Sequence, residues 1–329
     1  MKYYKGYIFC LGLLVACQQP QAHRVSGFVF GTTYQITYEG PAPEKMRVNP
    51  ALDTIFEALN RSMSTYIPNS DISRFNQGND SIQIDQYFQE VFEYSRRVWE
   101  TTDGAFDPTV GPLVNAYGFG SEQPLRQVNK KTIDSLSSFV GLANVVLRSG
   151  WLSKQHPSTA LDFNAIAKGY AVDVVAQWFE NHKVDNYLIE IGGEIRAKGD
   201  SPKSRKPWRV AIDDPKQKKY RAFIQTVEIS SGALATSGNY RKFRIDSLTG
   251  NYYVHTIDPR TAAPAISNVL SVSVRSPLCS LADAWATALM VLPLNEGQGL
   301  VEEDPSLEAL WIVAQEDELK QISSSGWSN

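Results

Sequence analysis

Residues 187–197 read YLIEIGGEIRA, two strand-like runs on either side of Gly192-Gly193. Short apolar runs bounded by glycine predict a pair of strands joined at a bend. A second hairpin signal, Ser149-Gly150, lies between the runs 145–147 and 151–152. The sequence therefore predicts a hairpin at 145–152 and a bent strand pair at 187–197.

Outward from these pairs, strand and helix patterns follow one another without regular alternation. Further strands are expected within 27–39 and at 160–163, 208–212, 226–229, 270–274 and 309–313. Helices are expected from a cap at Asn49 to 63, over 85–101, from a cap at Asn164 to 179, and over 280–292. This mixture favours an α+β fold over a doubly wound parallel sheet.

The first 17 residues indicate the compartment. Lys2 and Lys5 precede a mostly apolar run at 6–16, which is shorter than the ~20 residues that a membrane-spanning helix needs. The run ends in Leu14-Val15-Ala16-Cys17, which resembles the lipobox of bacterial lipoproteins. We therefore expect a signal peptide over 1–16, lipidation at Cys17, a polar tether over 17–26 and one domain over 27–329. The protein would be anchored by lipid to a bacterial membrane and face the periplasm.

Composition limits the classes of partner. The 329 residues carry a formal net charge of only −3, which gives no electrostatic reason to expect nucleic acid. Cys10 would leave with the signal peptide and lipid would block Cys17, so Cys279 would have no partner for an internal disulfide.

Asp283 and Thr287 form the clearest pair of candidate ligands. They lie at i and i+4 of the helix predicted over 280–292, so their oxygens share one face. A carboxylate and a hydroxyl are hard-oxygen ligands that suit magnesium. The alternative is that Asp283 favours the first helical turn for its dipole and that Thr287 is simply packed.

The segment 162–170, DFNAIAKGY, has a strand-loop-helix pattern. Backbone N–H groups at a helix start favour anions such as a pyrophosphate, and Lys168 could reach the same charge. An ordinary capped helix with a surface lysine is the alternative. The common P-loop, dinucleotide, zinc-site and serine-hydrolase motifs are absent from the sequence.

Taken together, the polar, glycine-punctuated segments resemble the ApbE family, the FAD:protein FMN transferases. The matching segments are 31–34, 63–66 with Ser70, Ser73 and Asn76, 104–119, 162–173, 190–199, 236–240, 255–264, and Asp283 with Thr287. They cover nearly all of the chain after the expected tether.

The resemblance implies two T-fold-like layers of antiparallel sheet with packed helices and one FAD in a central cleft. It implies FAD contacts at Phe30, Tyr66, Ala105, Phe106, Asp107, Asp162, Lys168 and Ile257. It implies Mg²⁺ at the carbonyl of Ala165 and the side chains of Asp283 and Thr287. The implied reaction is attack by a Ser or Thr hydroxyl of an acceptor flavoprotein on the FMN phosphate of FAD, which releases AMP. We expect that acceptor to belong to a membrane electron-transfer complex.

Three positions depart from the family pattern. Phe30 stands where methionine is common, Phe163-Asn164-Ala165 replaces a more usual Leu-Gly-Gly, and Ala262 replaces a glycine. The missing glycines affect the expected backbone torsions, since only glycine adopts positive φ at little cost. The carbonyl expected from Ala165 is unaffected because every residue has one.

His255 is the best candidate for the base that deprotonates the acceptor hydroxyl, because its intrinsic pKa lies near neutrality. A structural histidine that bonds the Asp258-Pro259 turn is equally compatible with the sequence. Tyr66, Phe106 and Trp285 are expected to limit water in the cleft. Two other functions remain open: an FAD diphosphatase that gives FMN and AMP, and a flavin-binding lipoprotein without catalysis.

Overall fold

The computed structural model describes residues 21–78, 81–120, 129–216, 222–239, 256–265, 267–316 and 318–328, with the backbone of 243–245 and 252–254. Its strands are β1 Gln21–Val29, β2 Thr32–Gly40, β3 Ser81–Gln83, β4 Val145–Arg148, β5 Trp151–Lys154, β6 Asn186–Ile191, β7 Glu194–Lys198, β8 Trp208–Asp213, β9 Phe223–Ile229, β10 Ser231–Gly238, β11 Phe243–Ile245, β12 Tyr252–Val254, β13 Ile257–Asp258, β14 Ala263–Pro264, β15 Val269–Ser276, β16 Glu308–Gln315 and β17 Glu318–Ser323. Its helices are α1 Pro43–Met46, α2 Val48–Met63, α3 Asp71–Asn76, α4 Gln86–Thr101, α5 Gly111–Tyr117, α6 Lys130–Ser137, α7 Ala167–Asn181, α8 Cys279–Val291 and α9 Leu294–Glu303, with 3-10 turns at Pro108–Val110 and Leu142–Asn144.

The centre of the fold is an eight-stranded sheet in the order β1-β2-β6-β7-β10-β15-β16-β17, in which each neighbouring pair is antiparallel. The Gly192-Gly193 bend is the two-residue turn between β6 and β7, where Ile191 pairs with Glu194. Both glycines have positive φ, 66° and 105°, which a tight turn matching the sheet twist requires. The α+β class and the antiparallel sheet expected from the sequence are confirmed.

Both faces of this sheet are covered. Helices α7 and α8 pack on one face, α8 against β10 and β15 and α7 against β6 and β7. The ribbon β8–β9 covers the other face and buries Val210, Val227 and Ile229 with Leu234 and Ile312 of the sheet. Alternate side chains of one strand thus enter two separate cores, as the period of a strand requires.

Local signals account for several element ends. Asp85 caps α4 by accepting a hydrogen bond of 2.8 Å from the Phe88 N–H, one residue before the helix begins. Ser149 and Gly150 have φ of 51° and 77° and join β4 to β5, so the predicted hairpin is confirmed.

Four local expectations are wrong. Helix α2 begins at Val48 after a left-handed Arg47, so Asn49 lies inside it and does not cap it. Asn164 does not cap α7, which begins three residues later. Residues 160–163 are not a strand, because the Leu161 N–H bonds the Asn76 side chain instead of a ladder. Residues 21–26 belong to β1 and not to a tether.

Candidate functional site

One cavity of about 550 Å³ opens where the β1–β2 turn, the end of α2, the loops before α5 and α7, and helix α8 converge. A volume of this size is typical of small-molecule and cofactor sites. Its wall includes every residue for which the family resemblance implies a role in binding FAD or magnesium: Phe30, Tyr66, Ala105, Phe106, Asp107, Asp162, Ala165, Lys168, Ile257, Asp283 and Thr287.

Helices α7 and α8 touch at Gly169, which brings two cavity segments together. The Gly169 N–H donates a 3.1 Å hydrogen bond to Oδ2 of Asp283. A Cβ at position 169 would lie 2.3 Å from the carbonyl oxygen of Cys279 and 2.8 Å from Cβ of Asp283. Only glycine therefore permits this approach, which fixes the Asp283 carboxylate at the cavity wall.

The start of α8 is held by Asp173 of α7. Its carboxylate accepts hydrogen bonds from the backbone N–H groups of Cys279 and Ser280 at 2.9 and 2.8 Å, and from the Ser280 hydroxyl at 2.8 Å. Arg196 of β7 binds the same carboxylate at 2.8 Å. Leu278, at the N-cap position of α8, makes no side-chain cap, so Asp173 satisfies donors that the helix itself leaves open.

Lys168 joins two buried carboxylates across the cavity wall. Its Nζ lies 3.1 Å from Oε1 of Glu194 and 3.7 Å from Oδ2 of Asp283. Burial lowers the pKa of Lys168, but the two carboxylates outweigh burial and the net shift is upward, so the lysine is charged. Burial raises the pKa of Glu194 to about 7, against the opposing effect of Lys168 and with a further increase from Asp283.

Glu194 is a site residue that the sequence analysis misses. It lies within the matching segment 190–199 and follows the Gly192-Gly193 turn directly, where a lone acid can still be a solvated turn residue. The available signal is a carboxylate at the first position of a predicted strand, directly after a glycine turn; Glu194 is 4% exposed in the structure.

The candidate ligands of a cation are oxygens. Asp283 is 4% exposed, and Thr287 lies one turn further along α8 with its Oγ1 3.2 Å from Oγ of Ser237. No group of three or more His, Cys, Asp or Glu side chains that could hold a metal occurs among the described residues. One carboxylate with neighbouring hydroxyls fits the hard, partly hydrated magnesium ion.

Two further acids of the cavity also hold their own loops. Asp107 accepts hydrogen bonds from the N–H and hydroxyl of Thr109 at 2.7 and 2.6 Å, and from the Leu142 N–H at 3.0 Å. Burial raises the pKa of Asp107 against these bonds. Asp162 accepts hydrogen bonds from the N–H and the side-chain Nδ2 of Asn164 at 2.7 and 3.2 Å, which ties Asn164 to the loop before α7.

The aromatic wall differs from the expectation at one position. Phe30 packs edge-on against Phe56 with ring centroids 5.5 Å apart, Phe106 is buried, and Tyr66 is 68% exposed at the rim. Trp285 is 5% exposed but lies outside the cavity wall, so it does not limit water there. Helix α8 is apolar on nearly all sides, and Trp285 faces the core.

The backbone at the substituted glycines is now visible. Ala262 has φ of 56°, the left-handed conformation that the usual glycine would take at little cost, whereas Asn164 and Ala165 do not have positive φ. His255 and Cys17, the candidate base and the candidate lipidation site, lie outside the described residues.

The chain combines an antiparallel α+β fold with a cavity bordered by Asp283, Thr287 and Lys168. Two solved structures of flavin transferases share the fold. The flavin transferase ApbE from Vibrio cholerae has a TM-score of 0.81 and 35% identity, covering 93% of this chain and 98% of its own. The apo flavinyl transferase ApbE from Pseudomonas stutzeri has a TM-score of 0.81 and 30% identity, with 93% and 96% covered.

The sequence comparisons agree. The model of the ApbE family matches residues 30–311, and the chain belongs to this family. An FAD:protein FMN transferase of Vibrio cholerae is 37% identical over 323 residues, 96% of this chain and 95% of the relative. Another from Haemophilus influenzae is 34% identical over 316 residues, 92% of this chain and 90% of the relative.

Proposed function

We propose that this chain is an FAD:protein FMN transferase that moves FMN from FAD to a Ser or Thr hydroxyl of an acceptor flavoprotein. The acceptor oxygen forms a new bond to the phosphorus of the FMN moiety. The bond from that phosphorus to the bridging oxygen breaks, and AMP leaves. The hydroxyl proton passes to a base.

One observation carries this proposal: in a chain of the ApbE family, every position at which the family resemblance implies an FAD or magnesium contact lines a single cavity. These positions come from segments up to 257 residues apart, between Phe30 and Thr287. Their convergence is a property of the tertiary structure and of no single motif. Relatives named FAD:protein FMN transferase match more than nine-tenths of the chain.

Within this proposal, Asp283 and Thr287 hold Mg²⁺ with the carbonyl of Ala165. When bound, the ion would neutralise negative charge on the pyrophosphate oxygens. Phosphoryl transfer depends on this charge neutralisation more than on covalent catalysis. Lys168 contributes positive charge at the same wall, and the buried Phe106 excludes water from the apolar side. Asp107 and Asp162 hold the loops that shape the cavity.

His255 is proposed as the base, since an imidazole titrates near neutral pH. We also propose export, lipidation at Cys17 and attachment to a bacterial membrane with the enzyme facing the periplasm. The basic start and short apolar run before Cys17 support this. No helix among the described residues is both long and apolar enough to cross a bilayer. The acceptor is then a flavoprotein of a membrane electron-transfer complex.

The test is to incubate the protein with FAD, Mg²⁺ and bacterial membranes and to measure three products: covalent flavin on protein bands, AMP and free FMN. Transfer predicts fluorescent bands and an equivalent amount of AMP. The Asp283→Ala variant, under the same conditions, should give neither. Free FMN as the main flavin product, with an acceptor present, would instead establish an FAD diphosphatase. Absence of AMP would indicate a flavin-binding protein without catalysis.

A further inference from the structure

Glu194 is a buried charged side chain of the cavity that the proposed reaction leaves unused. Its Oε1 lies 3.1 Å from Lys168 Nζ. Its Oε2 is buried and has no hydrogen-bond partner within the described part of the chain. Because buried carboxylate oxygens are normally paired, the unpaired Oε2 indicates a donor other than the described residues, and a bound ligand or water in the cavity can supply it.

The surroundings of Oε2 indicate where that donor would be. A Cβ built on Gly192 would lie 3.3 Å from Oε2 of Glu194 and 3.4 Å from Oγ1 of Thr32. Gly192, Thr32 and Glu194 all line the cavity. The missing side chain at Gly192 therefore leaves no protein atom between the glycine and the buried Oε2, at a wall that all three residues share.

The local charges favour a cation. Lys168 provides one positive charge against the carboxylates of Glu194 and Asp283, and its ammonium is closer to Glu194, at 3.1 against 3.7 Å. A divalent cation at Asp283 and Thr287 would bring water molecules with it, because Mg²⁺ gives up its waters reluctantly. Such waters are strong hydrogen-bond donors and need acceptors nearby.

We propose, on the basis of the proposed function, that Glu194 is a positioning residue for the hydrated cation. Oε1 holds the Lys168 ammonium away from Asp283, and Oε2 accepts a hydrogen bond from a water of the ion. Without the Glu194 carboxylate, Asp283 is the remaining ion-pair partner of Lys168 among the described residues, and the ammonium competes with the cation for the same oxygen.

The test measures Mn²⁺ binding by electron paramagnetic resonance on the FAD-free protein, so that flavin transfer plays no part in the result. Glu194→Gln should weaken Mn²⁺ binding ~10–100-fold, the usual effect of removing an outer partner of a metal site. Glu39→Gln is the matched control. Glu39 is also a buried glutamate of the main sheet, paired with Arg205 at 2.9 Å, but it is not part of the cavity wall. Its substitution should leave the Mn²⁺ affinity unchanged.

A second variant separates positioning from general support of the fold. Lys168→Met should bind Mn²⁺ more tightly than the wild type, because the competing ammonium is gone; weaker binding would overturn the proposal. Unchanged Mn²⁺ affinity in Glu194→Gln would also overturn it. If Glu194→Gln does not fold, Glu194→Asp replaces it, with weakened binding expected and unchanged binding counting against the idea. Absence of saturable Mn²⁺ binding to the wild type would overturn the magnesium site itself and this inference together.

Discussion

Replacing Gly169 with alanine tests whether the contact between α7 and α8 sets the geometry of the site. The new Cβ would lie 2.3 Å from the carbonyl oxygen of Cys279, whereas an ordinary carbon–oxygen contact is about 3.3 Å or longer. The helices must therefore separate by roughly 1 Å. Overpacking of this kind costs about 1–3 kcal/mol, and the better helix propensity of alanine returns at most ~1 kcal/mol. We expect a net loss of about 1–2 kcal/mol.

The separation should also affect function, because the Gly169 N–H holds Oδ2 of Asp283 at 3.1 Å. We expect weaker Mn²⁺ binding and lower covalent flavin formation in Gly169→Ala. The assay is urea unfolding followed by circular dichroism, together with the membrane flavinylation assay. Gly299→Ala in α9 is the control: nothing lies within 4 Å of its added Cβ, so it should gain about 0.5–1 kcal/mol. A Gly169→Ala protein as stable and as active as the wild type would refute this account of the contact.

Five other substitutions test the remaining roles. Asp283→Ala should abolish turnover and Mn²⁺ binding while the circular dichroism spectrum is retained; full activity would exclude Asp283 as a ligand. Asp162→Ala and Lys168→Ala should each lower FAD affinity, measured by quenching of flavin fluorescence, and unchanged affinity in both would make these residues purely structural. Cys17→Ser should give unprocessed or unanchored protein in cell fractionation, whereas normal membrane retention would contradict the lipid anchor. His255→Ala should slow transfer by ~10²–10⁴-fold, and a loss below about tenfold in single-turnover assays would exclude it as the base.

Features that depend on neighbouring residues could be predicted from the sequence. Gly192-Gly193 and Ser149-Gly150 predict hairpins because both turns need positive φ, and the structure has it at all four positions. Asp283 and Thr287 share one face because both lie on α8 at helical spacing.

Features that depend on tertiary packing could not be predicted in the same way. The Glu194–Lys168 contact joins β7 to α7, and no local pattern carries that information. Asn164 has the chemistry of a helix cap, but its side-chain amide donates to Asp162 in the preceding loop and α7 begins only at Ala167. Trp285 lies on a helix that is apolar on nearly every side, so periodicity could not tell the core face from the cavity face.

The placement of Asp173 has a consequence for the order in which the protein folds. The first N–H groups of α8 find their acceptor on α7, so α8 gains this stabilisation only after the two helices have docked. The Asp283 carboxylate reaches its position in the same event, because the Gly169 N–H that holds it also belongs to α7. The two helices therefore form one cooperative unit, and the amide protons of Cys279 and Ser280 should exchange with solvent only when that unit opens. Asp283, the proposed metal ligand, takes its place only on docking, so the proposed site is absent from any partly folded chain in which α7 and α8 are still apart.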